Sequence, residues 1–184
     1  MPRIAPLTVA AASPVIAATL DAIKTKFGRL PNVYATLAHS PTALHGFLAF
    51  RSPEAEGQFD ARQREIVALA VGQANRCGYC VSAHTAVGRS VGLNDAQIAA
   101  ARQGGGLNAK DAALAQFAHA VVEQRGWIDH AALQSFLQAG HSEGEAIEVV
   151  ALVAMNTLSN YVNHLAGTEV DFPAVDIDAL ERAA

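Results

Sequence analysis

The sequence predicts an all-α fold in a chain of 184 residues. Helix-starting signals, in which Ser, Asp or Asn precedes an apolar stretch, recur along the chain. Between these signals the apolar residues repeat at helical spacing, and no segment shows a convincing run of the alternation typical of a strand. No internal repeat and no linker divides the chain, which is long enough to bury a sizeable core. We therefore expect a single domain over residues 1–184.

The first 59 residues predict one longer helix, two short helices and a loop. Ser13 followed by Pro14 is typical of a helix start, because proline fits the first helical position and has no N–H to leave unpaired. Pro31 and Pro41 mark two further starts. The predicted helices cover about residues 14–26, 34–37 and 44–50, and the polar stretch 51–59 is expected to be a loop.

The rest of the chain predicts six helices. In a capping box, the cap side chain and the side chain three residues later each bond the other residue's backbone N–H. Three such pairs are present: Asp60 with Gln63, Asn94 with Gln97, and Ser142 with Glu145. Asn108 and Asp129 are further caps. The predicted helices cover about residues 60–75, 77–91, 94–104, 108–125, 129–140 and 142–166.

Charge and composition narrow the classes of partner. The net charge of −4, with Lys and Arg scattered singly, gives no basic surface for nucleic acid or anionic lipid. No apolar run approaches the roughly 18–20 residues that span a bilayer. Hydrophobic residues make up 51% of the chain and charged residues only 16%, a balance that favours burial of further apolar surface in a homo-oligomer.

The apolar residues near the N-terminus do not predict a secretory signal. The stretch 4–12 follows a single Arg3 and is interrupted by Pro6. The expected compartment is therefore the reducing cytoplasm. There, two closely spaced cysteines are more typical of catalysis or metal binding than of a structural disulfide.

The candidate site is centred on the only two cysteines of the chain, Cys77 and Cys80. On a helix, Cys77, Cys80 and His84 fall within about 60° of one another. Cys77 is expected at the helix start, where unpaired backbone N–H groups favour a thiolate. Glu65 precedes Cys77 by twelve residues, and an antiparallel helix pair would bring it level with His84. These four residues predict thiol–disulfide chemistry, with His84 as general base and Glu65 as the group that orients it.

Other interpretations of these residues remain open. Cys77, Cys80 and His84 could supply three zinc ligands, although zinc sites usually hold a second cysteine pair. Three histidines could then supply the fourth ligand: His119, His141 or His164. Glu65 could instead be a first-turn acid that complements the dipole of its own helix. The tryptophan and four of the seven phenylalanines have helix-packing spacing and predict core positions: Phe47, Phe50, Phe117, Trp127 and Phe136.

The spacing of Glu65, Cys77, Cys80 and His84 resembles the signature of alkylhydroperoxidase D-like members of the carboxymuconolactone decarboxylase family. The resemblance covers a redox core of about residues 40–125 and implies a helical bundle that assembles as an obligate oligomer, often a trimer or hexamer. It also implies cysteine-dependent reduction of hydroperoxides, an antioxidant activity without a bound cofactor. By position, Cys80 would attack the peroxide, Cys77 would form the disulfide that resolves it, and Glu65 with His84 would relay the proton.

The same resemblance implies an external dithiol reductant, which in part of the family is a lipoylated protein. One residue departs from the family pattern, and one segment extends the similarity beyond the cysteine motif. Tyr79 stands where the best-studied branch has a second histidine. The C-terminal residues 160–164 and 167–171 are similar to peroxidase-related members and have no assigned role. Two alternative functions remain: a cofactor-free decarboxylase or lyase that uses Glu65 and His84 on a small organic acid or lactone, and a non-catalytic redox-sensing or metal-binding oligomer.

Overall fold

The computed structural model describes residues 1–51, 57–180 and 182, and within these ranges all regular secondary structure is helical. The predicted all-α class is therefore confirmed. A short 3₁₀ helix, Val9–Ala11, precedes the α-helices. These are α1 (Pro14–Phe27), α2 (Asn32–Leu37), α3 (Pro41–Phe50), α4 (Ala61–Ala74), α5 (Gly78–Ser90), α6 (Asp95–Arg102), α7 (Ala109–Glu123), α8 (His130–Gln138) and α9 (Glu143–Ala166). Residues 52–56 of the predicted loop lie outside the described ranges.

The helix starts follow the capping signals of the sequence. Reciprocal capping boxes are formed at the starts of α4 and α6. At α9, the Ser142 N–H donates to Glu145 Oε2 at 2.6 Å and the Glu145 N–H donates to Ser142 Oγ at 3.0 Å. At α1, Pro14 occupies the expected first turn, but the Ser13 side chain makes no capping hydrogen bond. Local sequence therefore decides where these helices begin.

Contacts between Cα atoms group the chain into two compact units. The first consists of Met1–Glu56 with Tyr161–Asp171, and the second of Gly57–Asn160 with Phe172–Ala184. In the first unit, Asp171 Oδ2 accepts hydrogen bonds from the Asn32 backbone N–H at 3.0 Å and from the Arg29 guanidinium at 2.8 Å. Asp171 thereby satisfies a backbone donor at the start of α2, where helices leave N–H groups unpaired.

In the second unit, α4 packs against α5, α6 and α7. Hydrogen bonds hold both ends of α4. Near the start of the helix, Arg62 makes a bidentate ion pair with Asp111 of α7. Near its end, the Gly72 carbonyl accepts the N–H of Cys77, just before α5, at 2.8 Å. The buried core of this unit comes chiefly from α4, α7 and α9. Its largest apolar members include Phe59, Ile66, Leu69, Val71, Ile98, Leu114, Phe117, Phe136 and Val149. This core fixes α4 as the rigid support for α5.

Three of the five predicted core aromatics are buried. Phe117 and Phe136 stack at 4.4 Å between ring centroids, and Phe47 is also buried. The predictions for Trp127 and Phe50 were wrong, because their side chains are 87% and 57% exposed. Trp127 follows the turn that ends α7, outside any helical face, and Phe50 is the last residue of α3. Helical spacing carries no information about burial at such end positions.

No helix among the described residues is both long enough and apolar enough to cross a membrane.

Candidate active site

A three-residue turn reverses the chain between α4 and α5. Asn75 ends α4, Arg76 adopts a positive φ of 53°, and Cys77 becomes the N-cap of α5. The left-handed conformation of Arg76 is uncommon for a residue with a side chain. It lets Cys77 turn its backbone N–H towards Gly72 at once, so that the two helices pack as the antiparallel pair expected from the sequence.

Gly72 faces the first turn of α5. A Cβ at this position would lie 3.4 Å from Val81 Cγ2 and 3.6 Å from Cys80 Cβ. These are ordinary van der Waals distances, so α4 and α5 are in close contact here but a single methyl group would still fit. A branched side chain at Gly72 would push directly against Cys80. The sequence analysis did not identify this residue, because a lone glycine in an apolar helix has many explanations.

Glu65 and His84 meet across the helix pair. The His84 Nδ1 lies 2.7 Å from Glu65 Oε2, and both side chains are buried. A carboxylate only accepts hydrogen bonds, so the Nδ1 carries a proton, and in the neutral tautomer the remaining lone pair is on Nε2. Glu65 is the fifth residue of α4, and no acid lies in that helix's first turn. The alternative role of Glu65 as a first-turn dipole partner is therefore wrong.

The two cysteines lie at the start of α5, and both are buried thiols with 1% and 3% exposure. The Sγ of Cys77 accepts the backbone N–H of Cys80 at 3.3 Å. Cys77 thus places its sulfur at the N-terminus of the helix, where the unpaired N–H groups stabilise negative charge on sulfur. Cys80 precedes His84 by one helical turn, which puts its sulfur on the same face as the imidazole. The site combines two thiols with a buried, hydrogen-bonded pair of a histidine and a glutamate.

The residues next to the cysteines contact the C-terminal part of the chain. Tyr79 is buried and meets Phe172 edge-to-face, with ring centroids 5.8 Å apart. Arg76 forms an ion pair with Asp178. The positive charge of Arg76, which precedes Cys77 in sequence, is therefore shared with a carboxylate. Neither contact could be predicted from spacing, because about a hundred residues separate the partners in sequence.

A buried amide network fixes the turn before Cys77. Asn75 Nδ2 donates to Asn160 Oδ1 at 2.9 Å and to Thr157 Oγ1 at 3.2 Å. The Asn160 side chain is fully buried, and its Nδ2 has no hydrogen-bond partner among the described residues. The network gives Asn160, part of the C-terminal segment without an assigned role, a structural link to the cysteine motif. The only signal in the sequence was an asparagine within the apolar pattern of α9.

The described residues do not bring together three or more His, Cys, Asp or Glu side chains in positions that could hold a metal ion. The three histidines considered as a fourth zinc ligand have other neighbours. His119 lies 3.4 Å from Glu123, His141 donates from Nε2 to the Lys110 carbonyl at 3.0 Å, and the His164 ring packs beside Tyr161.

Comparison with known proteins gives a family for this region. Residues 41–104 match the sequence model of the Carboxymuconolactone decarboxylase family. That segment contains Glu65, Cys77, Cys80 and His84. A stretch of 63 residues is 40% identical to an uncharacterized protein of Haemophilus influenzae, and it covers 34% of this chain and 50% of that protein. The chain thus spans about half the length of this relative.

Solved structures share the fold over most of the chain. An uncharacterized peroxidase-related protein from Ralstonia eutropha JMP134, with an alkylhydroperoxidase AhpD core, has a TM-score of 0.83 at 24% identity over 92% of both chains. A peroxidase-related protein from Silicibacter sp. TM1040 has a TM-score of 0.77 at 20% identity, covering 90% and 91%. The debrominase Bmp8, in complex with 2,3,4-tribromopyrrole, has a TM-score of 0.76 at 21% identity, covering 98% and 94%. These likenesses show the fold, and the resemblance inferred from the sequence is confirmed.

Proposed function

We propose that this chain, of which residues 41–104 match the sequence model of the Carboxymuconolactone decarboxylase family, is a thiol-dependent peroxidase. It reduces hydroperoxides through a cycle between a dithiol and a disulfide at Cys77 and Cys80. The observation that carries this proposal is the buried 2.7 Å hydrogen bond between His84 Nδ1 and Glu65 Oε2. It leaves Nε2 as a proton acceptor one helical turn from Cys80.

The first step oxidises Cys80. The His84 Nε2 takes the thiol proton, and the Cys80 thiolate attacks one oxygen of the hydroperoxide ROOH. An S–O bond forms as the O–O bond breaks, and the departing alkoxide takes the proton from the imidazolium to leave as ROH. Cys80 becomes a sulfenic acid and the peroxide is reduced by two electrons. Glu65 keeps the imidazole oriented and stabilises its charged form between the two proton transfers.

The second step closes the disulfide. The Cys77 thiolate, at the N-terminus of α5, attacks the sulfenic sulfur; the S–S bond forms and hydroxide departs as water after protonation. The backbone N–H of Cys80 already points at the Cys77 sulfur at 3.3 Å. The two sulfurs thus belong to one helical turn, and closure needs little backbone movement. An external dithiol, with a lipoylated protein as one candidate, then reduces the disulfide and is itself oxidised.

We further propose a cytoplasmic homo-oligomer, either a trimer or a hexamer. The support is an exposed apolar stripe along α9, formed by Ile147, Ala151, Ala154 and Leu158. These residues recur at alternating spacings of four and three, which places them along one side of the helix. An apolar stripe of this kind is typical of a helix that packs against a partner.

The experiment that tests the peroxidase is a thiol titration of the reduced protein before and after a small molar excess of cumene hydroperoxide. Intact mass and zinc content are recorded on the same samples. The expected result is loss of both thiols, a mass decrease of about 2 Da for one disulfide, and recovery with a dithiol. Unreactive thiols in a zinc-free protein would overturn the proposal.

The zinc content and two further assays separate three other functions. A lyase that uses Glu65 and His84 without redox turnover would keep its activity in a Cys80→Ser variant. Stoichiometric zinc that protects the thiols would indicate a metal-binding protein. In a third outcome, the two thiols do not react with the hydroperoxide but form a disulfide while 2,3,4-tribromopyrrole loses bromide. This would indicate reductive debromination, the activity named for Bmp8.

A further inference from the structure

Residues 172–178 form a non-helical segment that follows α9. This segment packs on the helices that carry the site. We call it the C-terminal strap. We propose that the C-terminal strap limits which reductants reach the sulfur of Cys77, and so selects slender dithiols over bulky ones. The effect on turnover rests on the proposed function, whereas the effect on thiol accessibility does not.

The strap lies against the residues on both sides of Cys77. Asp178 forms an ion pair with Arg76. A Cβ on Gly78 would lie 3.7 Å from the Ile177 side chain. Cys77 itself is 1% exposed. Strap residues therefore flank the helix end at which the Cys77 sulfur is held.

The strap continues along the side of α5 that faces away from His84. The Val175 N–H donates to Ser82 Oγ at 3.0 Å, and Phe172 packs edge-to-face on Tyr79. On a helical wheel, Tyr79 and Ser82 lie roughly opposite Cys80 and His84. The Cys80 side is covered by α4 through the close approach at Gly72. Two elements thus enclose the motif from two sides: α4 and the strap.

A buried arginine holds the strap in place. Arg102, on α6, is 6% exposed, and burial lowers the pKa of its guanidinium despite the opposing effect of Asp176. Its Nε donates to Gln73 Oε1 at 2.9 Å, and an Nη donates to the Asp176 carbonyl at 3.0 Å. Gln73 Nε2 donates in turn to the Ile177 carbonyl at 2.9 Å. The strap carbonyls are therefore acceptors for a buried cation, which is costly to leave without them.

These contacts decide which element can move. Separating α4 from α5 would break the hydrogen bond between Glu65 and His84 on which catalysis depends. Displacing the strap breaks its hydrogen bonds to Arg102, Gln73 and Ser82, which hold it closed, but leaves that relay intact. Elements that open locally are drawn from such weakly packed segments. The strap residues beside Arg76 and Gly78 are therefore the ones that a reductant must pass to reach Cys77 at the helix end.

The reduction step follows from this direction of approach. One thiolate of the reductant attacks the Cys77 sulfur, an S–S bond forms to the reductant, and the bond between Cys77 and Cys80 breaks. Cys80 leaves as a thiolate and takes up the proton that the attacking thiol of the reductant has lost, which His84 Nε2 carries between the two sulfurs. The second thiol of the reductant then displaces Cys77 as a thiol and closes the oxidised dithiol. A small or extended dithiol can reach the sulfur beneath the strap, while a bulky one requires the strap to be displaced.

The test compares two thiol reagents in a Cys80→Ser background, in which Cys77 is the only cysteine. Rates of modification are measured with iodoacetamide, which is small, and with a maleimide on a polyethylene glycol chain, which is bulky. Arg102→Met loosens the strap, and Ile177→Ala removes one strap contact with little risk to folding. Arg89→Met is the matched control, because Arg89 lies on α5 and pairs only with the exposed Asp95 in the contacts described.

We expect Arg102→Met to raise the ratio of bulky to small modification rates by about tenfold, since it removes charged hydrogen bonds that hold the segment closed. Ile177→Ala should raise it less, and Arg89→Met should leave it unchanged. An unchanged ratio in both strap variants, or an equal rise with both reagents, would overturn the strap proposal. Steady-state peroxide turnover is measured in parallel in variants that keep both cysteines. If the peroxidase proposal is wrong but the strap proposal is right, turnover will be absent while the ratio of modification rates still changes.

Discussion

The His84 Nδ1 lies 2.7 Å from Glu65 Oε2, and this buried contact joins α4 to α5. It fixes the nitrogen that faces Glu65, because the carboxylate accepts a hydrogen bond from Nδ1–H and, in the neutral tautomer, leaves the lone pair on Nε2. It also brings together two side chains that are nineteen positions apart in sequence.

The first prediction concerns this contact. Glu65→Gln keeps a hydrogen-bond acceptor but loses the charge that stabilises the imidazolium, so we expect oxidation of Cys80 to slow by about 10- to 100-fold. Glu65→Leu, which removes the acceptor as well, should slow it further. The measurement is the rate of thiol loss with hydroperoxide across a range of pH.

Glu123→Gln is the matched control, because Glu123 also pairs with a histidine, His119, but at an exposed position. It should leave the rate unchanged. A Glu65→Gln variant that reacts as fast as the original protein, with the same helix content, would remove Glu65 from the relay.

The second prediction assigns different roles to the cysteines. Cys80→Ser should abolish reaction with hydroperoxide, since it removes the sulfur one turn from His84. Cys77→Ser should allow one round of oxidation, seen by intact mass as a gain of about 16 Da for a sulfenic acid. Equal single-round oxidation of both variants would contradict the assignment of Cys80 as the attacking residue.

The third prediction concerns the amide network before Cys77. Asn75→Ala leaves both polar ends of the fully buried Asn160 side chain without partners and should lower the free energy of unfolding by about 1–3 kcal/mol. Asn160→Leu should cost less, because it removes the Nδ2 that already has no partner among the described residues. Urea denaturation of both variants measures the difference. A larger loss for Asn160→Leu would show that the network matters less than the packing at this position.

The fourth prediction is a pH dependence at the start of α9. Burial by itself raises the pKa of Glu145, but the hydrogen bond from the Ser142 N–H, together with His141 and Lys110, outweighs it and holds the pKa below its ordinary value. A carboxyl with a lowered pKa stabilises the fold above its unfolded-state pKa, and this contribution is lost as the pH falls through the folded-state value.

We therefore expect Glu145→Gln to be less stable than the original protein at neutral pH and to lose less stability on acidification. The measurement is the melting temperature between pH 7 and pH 3. Glu143→Gln is the control, because Glu143 is exposed in the same turn of α9. Parallel acid curves for the original protein and Glu145→Gln would contradict the role of this carboxylate.

The fifth prediction tests the homo-oligomer. Ile147 is 74% exposed on α9, and Leu158 lies on the same stripe. Ile147→Asp combined with Leu158→Asp would bury charge in a helix interface, so the mass measured by light scattering should fall towards 19.2 kDa, that of one chain. Ser135→Asp, at an exposed position of α8, should not change the mass. A mass that is the same in all variants would exclude this face as the interface.

The sequence by itself determined the helices and the composition of the site. Caps such as Asp60 with Gln63 act through bonds between residues three apart, so they mark a helix start wherever the chain lies. The spacing of Cys77, Cys80 and His84 fixed their common face for the same local reason. The short connection before Cys77 also implied the antiparallel pair that brings Glu65 to His84.

Only the tertiary structure decided which distant residues complete the site. Asn160 and Arg102 contact the motif region through hydrogen bonds to Asn75 and to the strap, and these depend on how buried polar groups find partners after the helices pack. The exposure of Trp127 was likewise decided by a turn geometry that helical spacing does not encode. Local patterns report interactions between neighbours in sequence, whereas partners a hundred residues apart are selected by packing, which no spacing rule records.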